Sequence, residues 1–260
     1  MTDPIPSPLP GGGVPGGPVS SVDLPTPGRA LVIGAHPDDA EFLCGATLAK
    51  WAARGCVINH LVLTDGSKGT WDVDADVAAL VARRETEQLE AARRLGSRGK
   101  VVMLGHVDGD LQPSLHVRDQ VAYWIRALTP DVVLGHDPWK RYRLHPDHRH
   151  AGWLAVDAVV AARDPHFARH HDVAHHRPSA MLLFEADEPD HVEDVTDFVD
   201  TKVEALLAHA SQFVTTHDIP PDDDGTAAAA FRARITARAE TVGATAGVAA
   251  GEAFKAITRL

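Results

Sequence analysis

From Arg29 onward the apolar positions alternate between short continuous runs and longer runs of helical period. Arg29–Gly34 (RALVIG) carries no polar interruption, the pattern of a strand covered by helices on both faces. Pro37 suits the first turn of a helix, where its missing N–H costs nothing. That helix runs through Phe42, Leu43, Ala46, Ala49 and Ala52 and stops at Gly55. Val57–Leu63 reads as a second strand, and Thr64–Asp76, rich in turn formers, as a loop. A helix over 78–95 ends at Gly96, Val101–Leu104 is strand-like, and Val117–Leu128 is helical and stopped before Pro130. Val132–Gly135 is another strand. A loop covers 136–145, and Pro146 opens a helix that continues to Arg163. Farther on, 181–184 and 192–195 read as strands, 197–209 as a helix, 216–224 as an exposed loop, and the Ala-rich end, 226–260, as helical. This order predicts an α/β fold: a Rossmann-like, mostly parallel sheet with helices on both faces.

The remaining bulk features narrow the setting. Residues 1–28 hold many Pro and Gly but neither a basic start nor an apolar core. They read as a disordered leader rather than a signal peptide, ahead of one domain over 29–260. With 260 residues, 44% of them hydrophobic, the chain suits one domain with a sizeable core. The net charge of -11, with Lys and Arg scattered, argues against a nucleic-acid partner. No apolar run reaches membrane-spanning length, and the expected location is the cytoplasm. Two cysteines, Cys44 and Cys56, allow neither a disulfide framework nor a zinc ribbon and read as buried thiols. Homo-oligomerisation is left open by these features.

Two blocks carry the candidate chemistry. Ala35-His36-Pro37-Asp38-Asp39-Ala40-Glu41 follows the first strand, and His145-Pro146-Asp147-His148 lies just beyond the strand at Val132–Gly135. Asp65 and Gly66 follow the second strand. In open α/β sheets ligands collect beyond the carboxyl ends of the strands, so these segments are expected to converge on one sheet edge. Together they offer two imidazoles and a carboxylate for a metal, with a carboxylate and an imidazole to spare as acid and base. His36 and Asp39 are three apart, on one face of a helical turn, which points Asp38 elsewhere. His145 and His148 share the same spacing, so one can bind metal while the other faces a substrate. An isolated Asp pair at a helix start is otherwise a cap, and an isolated His is otherwise packed or solvated; it is the pairing of both blocks with strand ends that favours function.

The blocks resemble those of the LmbE-like family, also called the PIG-L family. Thr64-Asp65-Gly66-Ser67-Lys68-Gly69 is similar to its Gly-containing loop. Arg84 and Glu87 before Ala91-Ala92 and Leu95-Gly96, with His209-Ala210-Ser211-Gln212 and Gly251-Glu252-Ala253-Phe254, are similar to further blocks. Many members carry Glu directly after the Asp pair; here Ala40 stands there and Glu41 comes one place later. The resemblance implies a zinc-dependent N-deacetylase acting on an N-acylated amino-sugar or its conjugate, of the N-acetylglucosamine type. Carried over by motif, one Zn²⁺ per chain is held by His36, Asp39 and His148. Asp38 is the general base, His145, as an imidazolium, the partner of the oxyanion, and Asp147 the group that orients a histidine. Arg84 and Asp65 become expected substrate contacts.

Weaker signals stay open on the sequence alone. Trp71, Trp139 and Tyr142 lie in loops near the expected site, where they can stack on a sugar ring or anchor the loops. Residues 166–176 hold His166, His170, His171, His175 and His176. No carboxylate or Cys pattern fixes a metal geometry there, so the run reads as a flexible surface loop. Two rival readings are a non-haem iron oxygenase, which requires a barrel and leaves Asp39 and His145 idle, and a non-catalytic sugar or nucleotide binder, for which G-x-G-x-x-G is missing.

Overall fold

The computed structural model describes residues 19–260. Its strands are β1 (Ser21–Val22), β2 (Arg29–Gly34), β3 (Val57–Thr64), β4 (Val101–His106), β5 (Val132–His136), β6 (Ala180–Phe184), β7 (His191–Asp194) and β8 (Gly251–Ile257). They form one open sheet in the order β1-β7-β8-β6-β5-β2-β3-β4. All pairings are parallel except those of β8, which runs antiparallel to both β6 and β7. The helices are α1 (Asp39–Ala53), α2 (Val77–Arg94), α3 (Leu115–Leu128), α4 (Pro146–Arg163), α5 (Val199–Leu206) and α6 (Thr226–Ala246). The architecture is the expected α/β sheet with helices on both faces, and its open edge excludes the barrel that an iron oxygenase would need. Among the described residues, no helix is long and apolar enough to cross a membrane.

Strand alternation sorts the core into two layers. Ala30 and Val32 of β2 pack with Leu48 and Trp51 of α1 and Val203 of α5. Leu31 and Ile33 face the other way, onto Val121 and Ile125 of α3 and Leu154 and Ala158 of α4. Both faces of β2 are therefore buried, which is why its sequence shows no period of two. Truncating Ile33 to Ala would cost roughly 2–5 kcal/mol. The chain runs from β2 outward to β3 and β4, then returns through α3 to β5 on the other side of β2. That reversal opens a crevice beyond the carboxyl ends of β2 and β5.

Four expectations need correction. The Ala-rich end is not helical throughout. Helix α6 stops before Gly247, whose φ of 73° is the left-handed conformation of a helix terminus, and β8 follows. In β8, Ala256 pairs with Leu182 and Ala253 with Val192, and neighbours on both sides override the helix propensity of its alanines. Residues 1–18 lie outside the described residues, but 19–28 are not a disordered leader. Ser21 and Val22 pair with His191 and Val192, and Asp23 accepts a hydrogen bond from the buried ammonium of Lys50 at 2.7 Å. The 216–224 loop opens in the π-turn Phe213–His217, and His217 and Ile219 are buried. The His-rich segment is also no free loop. Buried Arg126 donates to the carbonyls of Ala161, Ala162, Asp164, Phe167 and Ala168 and clasps it to α3 and α4.

Candidate active site

The crevice gathers the carboxyl ends of five strands. His36 follows β2, Asp65 follows β3, Asp108 follows β4, His136 ends β5 and Glu185 follows β6. Gly34 lets the next turn fold back closely, for a Cβ there would meet the Cβ of Asp39 at 3.1 Å. Asp38, preceding α1, has φ 101° and ψ -21°, a left-handed conformation that costs a non-glycine residue of order 1–3 kcal/mol. Three contacts hold it there. Asp38 N–H donates to Gln88 Oε1 at 2.9 Å, and the Arg84 guanidinium donates to Pro37 O at 2.6 Å and to Asp38 Oδ2 at 3.3 Å.

His36 Nδ1 lies 3.2 Å from His148 Nε2 and 3.7 Å from Asp39 Oδ2, while His148 Nε2 lies 3.3 Å from Asp39 Oδ1. Donors that share a tetrahedral zinc at 2.0–2.2 Å stand about 3.4 Å apart, and each of these pairs lies near that spacing, His36 against one Asp39 oxygen and His148 against the other. The outward atoms fit as well. His36 Nε2 faces Asp147 Oδ2 and Asp108 Oδ1, each at 3.1 Å; these carboxylates outweigh burial, raise the pKa of the ion-free ring and would keep the proton on Nε2 when an ion takes Nδ1. His136 sits behind Asp39, with Nε2 3.2 Å from Asp39 Oδ2 and Nδ1 3.0 Å from Glu185 Oε2. Glu185 Oε2 also lies 3.5 Å from His148 Nδ1, and Arg143 Nη2 reaches both Glu185 Oε1, at 3.0 Å, and the Nδ1 of His148.

Charge follows from this packing. Burial alone would raise the Asp39 carboxyl, but His148 and His136 outweigh it and hold it well below the usual carboxylate range. Burial lowers His148 to about 4, which leaves a neutral imidazole, the form that ligates a metal. Asp38 is raised to about 6, because its burial outweighs the attraction of Arg84. The cavity over these groups holds about 510 Å³ and is bordered by His36, Asp38, Asp39 and His148 on its floor, with Lys68, Trp71, Arg143 and His145 around them. That volume suits a small organic ligand.

The family profile described as "PIG-L: GlcNAc-PI de-N-acetylase" matches residues 31–159. The diacetylchitobiose deacetylase of Thermococcus kodakarensis is 36% identical over 188 residues, which cover 71% of this chain and 70% of that protein. The chain belongs to the PIG-L family. The 1D-myo-inositol 2-acetamido-2-deoxy-α-D-glucopyranoside deacetylase of Segniliparus rotundus is 30% identical, over 74% of this chain and 79% of that protein. Among solved structures, the N,N'-diacetylchitobiose deacetylase from Pyrococcus horikoshii, in complex with its inhibitor MPG, superposes with a TM-score of 0.79. It is 31% identical and covers 89% of this chain and 84% of its own.

Within this PIG-L site the expected residues divide. His36, Asp38, Asp39 and His148 come together on the floor of the cavity, and Asp147 turns its carboxylate to His36. His145 is exposed at the rim, its ring centroid 4.6 Å from that of His36 and 5.0 Å from that of His148. Its expected imidazolium form is not favoured. Partial burial and the neighbouring His36 lower its pKa, and Asp147 accepts from His36 and from the Gly109 and Leu111 amides instead. Arg84 borders the cavity, yet its guanidinium already binds Gly66 O, Pro37 O and Asp38, so it shapes the turn rather than reaching outward. Asp65 does not border the cavity; its Oδ1 accepts from the amides of Ser67 and Asp108 and ties two loops together. Of the three aromatics, only Trp71 borders the cavity. Trp139 packs on Trp153, with ring centroids 5.2 Å apart, and Tyr142 projects outward. The sequence reading did not single out His136, Asp108, Glu185 or Gln88. The first three each stand at or just past the end of a strand, a signal open to the same strand-end argument; Gln88 carries none.

Proposed function

We propose that the protein is a zinc-dependent hydrolase that removes the acetyl group from the amide nitrogen of an N-acetylglucosamine-type substrate. The observation that carries this reading is the close spacing, 3.2–3.7 Å, of His36 Nδ1, the Asp39 carboxylate and His148 Nε2 beside the Asp38 carboxylate, at the floor of an open cavity. The homologues support the substrate class, since they are named as deacetylases of diacetylchitobiose and of a 2-acetamido-glucopyranoside.

His36, Asp39 and His148 would hold the ion. When bound, zinc lowers the pKa of water towards 7 and polarises the acyl oxygen. Asp38 lines the cavity with Oδ2 held by Arg84, so its other oxygen takes the proton of the attacking water and the group returns it to the leaving amine. The Gln88 and Arg84 contacts aim that carboxylate. His145 reaches the acyl oxygen from the rim as a neutral N–H donor. His136 and Glu185 keep Asp39 and His148 in place, and Asp108 and Asp147 keep His36 in the tautomer with its proton on Nε2. Trp71 offers a flat apolar face at the cavity mouth for a pyranose ring.

The decisive experiment strips the protein with a chelator and incubates it with N,N'-diacetylchitobiose and simpler N-acetylglucosaminides, with and without one equivalent of Zn²⁺. Acetate and free amine should appear in equal amounts only when the metal is restored. Failure to release acetate from every N-acetylated amino-sugar, with zinc bound at one per chain, would overturn the reading.

A further inference from the structure

We propose that Asp119, His170 and His171 form a second metal site, a structural one for Zn²⁺, that fastens the 164–171 segment to α3. The sequence of this segment supplies imidazoles, and its own carboxylate, Asp164, is taken up by the His166 amide at 2.7 Å. The fold brings another in from α3: Asp119 Oδ2 lies 2.9 Å from His170 Nε2 and 3.2 Å from His171 Nε2. All three atoms fall within 4.8 Å of one another, so a small turn of the exposed His170 ring brings them to the separation of about 3.4 Å that donors around a tetrahedral zinc share. Two imidazoles and one carboxylate are a ligand set that zinc takes readily. His170 is 69% exposed at its side chain, so the fourth position opens to water.

Side chains of adjacent residues usually diverge, and both histidines reach one carboxylate oxygen here because their segment is held from outside. Arg126 gathers the Ala168 and Phe167 carbonyls along with three others. The Arg118 guanidinium lies over the Phe167 ring, 5.5 Å from its centroid. Tyr123, one turn beyond Asp119 on α3, meets the His171 ring edge-on at 5.4 Å. The ligands are therefore positioned before any ion arrives, which reduces the ordering needed on binding. One contact opposes the site: Arg126 Nη1 lies 3.4 Å from His171 Nδ1. Metal at Nε2 keeps the proton on Nδ1, so that long contact is given up, and Arg126 Nη1 retains the Ala168 carbonyl at 3.1 Å. The cluster shares no residue with the catalytic floor. It tethers the segment and takes no part in hydrolysis.

The test is a Zn²⁺ titration of the metal-stripped full chain, followed by calorimetry and by metal analysis after gel filtration. The wild-type protein should take up two equivalents, one tight and one weaker. Asp119→Asn and His170→Gln, both conservative changes at exposed or half-exposed positions, should bind one equivalent. His148→Ala should keep the weaker equivalent and lose the tighter one. Zinc beyond the first equivalent should raise the Tm of the wild type and leave that of Asp119→Asn unmoved. Zinc uptake in Asp119→Asn equal to that of the wild type, whether one equivalent or two, would overturn the site. Both readouts are independent of deacetylation, so failure here and failure of the proposed activity are distinguishable.

Discussion

At Asp38 the backbone adopts φ 101°, and the surrounding groups rather than the residue's own preference keep it there. Removing the carboxylate's ability to accept a proton should leave the ligand trio intact. Asp38→Asn is thus expected to retain full zinc by elemental analysis while kcat falls by roughly 10² or more. Gln88 acts one layer back. It accepts the Asp38 N–H and donates to Glu41 Oε1 at 2.9 Å, so Gln88→Met strands a buried N–H without touching the cavity. We expect kcat to drop on the order of 10-fold, with KM and zinc content near their original values, because a small misplacement of a reacting group is costly. A change in KM alone would show that Gln88 shapes binding instead. His145→Ala should also keep its zinc. Its loss in kcat/KM should be about 1–3 kcal/mol of barrier, the worth of a neutral donor to a developing oxyanion, read from steady-state kinetics.

Among the elements, the π-turn Phe213–His217 has a titratable consequence. His217 is enclosed by Phe42, Phe213 and Phe231, its ring 4.5 Å from that of Phe231, and neither ring nitrogen has a side-chain partner. Burial, followed by the nearby His209, lowers its pKa to about 3. In the unfolded chain it titrates near 6.5, so between these values the unfolded state binds a proton that the native state refuses. Its contribution is fully present above pH 6.5 and declines as pH falls towards 3. Urea unfolding should therefore show the wild type losing about 2 kcal/mol between pH 7 and pH 5 on account of this residue. His217→Phe, which preserves the aromatic box, should show a correspondingly flatter dependence; an unchanged slope would mean that the ring is protonated in the native state. The sequence showed an exposed loop here because Thr216-His217-Asp218 is polar, and only packing against α1 and α6 buries the imidazole.

For the whole molecule, β8 joins the two halves of the sheet and also mends α1. Helix α1 is irregular at Cys44, with φ -148°, and the N–H groups just beyond it lack regular partners. The Glu252 carboxylate of β8 accepts them, from Ala46 at 3.2 Å and Thr47 at 2.8 Å, and pairs with Lys202 Nζ of α5 at 2.7 Å. One side chain thus links the C-terminal strand, the helix that carries Asp39, and α5. Glu252→Ala leaves the Lys202 ammonium unpaired in a buried setting, and denaturant unfolding should register a loss of roughly 3–5 kcal/mol. Equal stability of variant and wild type would mean that water replaces the carboxylate.

The sequence by itself determined the class of fold, because strands buried on both faces and helices of regular period leave separate marks in it. It also marked His36, Asp38, Asp39 and His148, which stand in two compact blocks beside strand ends. Tertiary structure alone decided what surrounds them. His136, Asp108 and Glu185 belong to three different strand ends, and Gln88 to a helix, so no local pattern joins them. The same holds for the end of the chain, where alanines that favour a helix become β8 because two strands lie waiting on either side. Asp119, far from the His-rich segment in sequence, meets His170 and His171 only because Arg126 folds that segment back on α3. A sequence records which groups are available and the local geometry they favour; contacts between distant segments follow from the packing that brings their elements together.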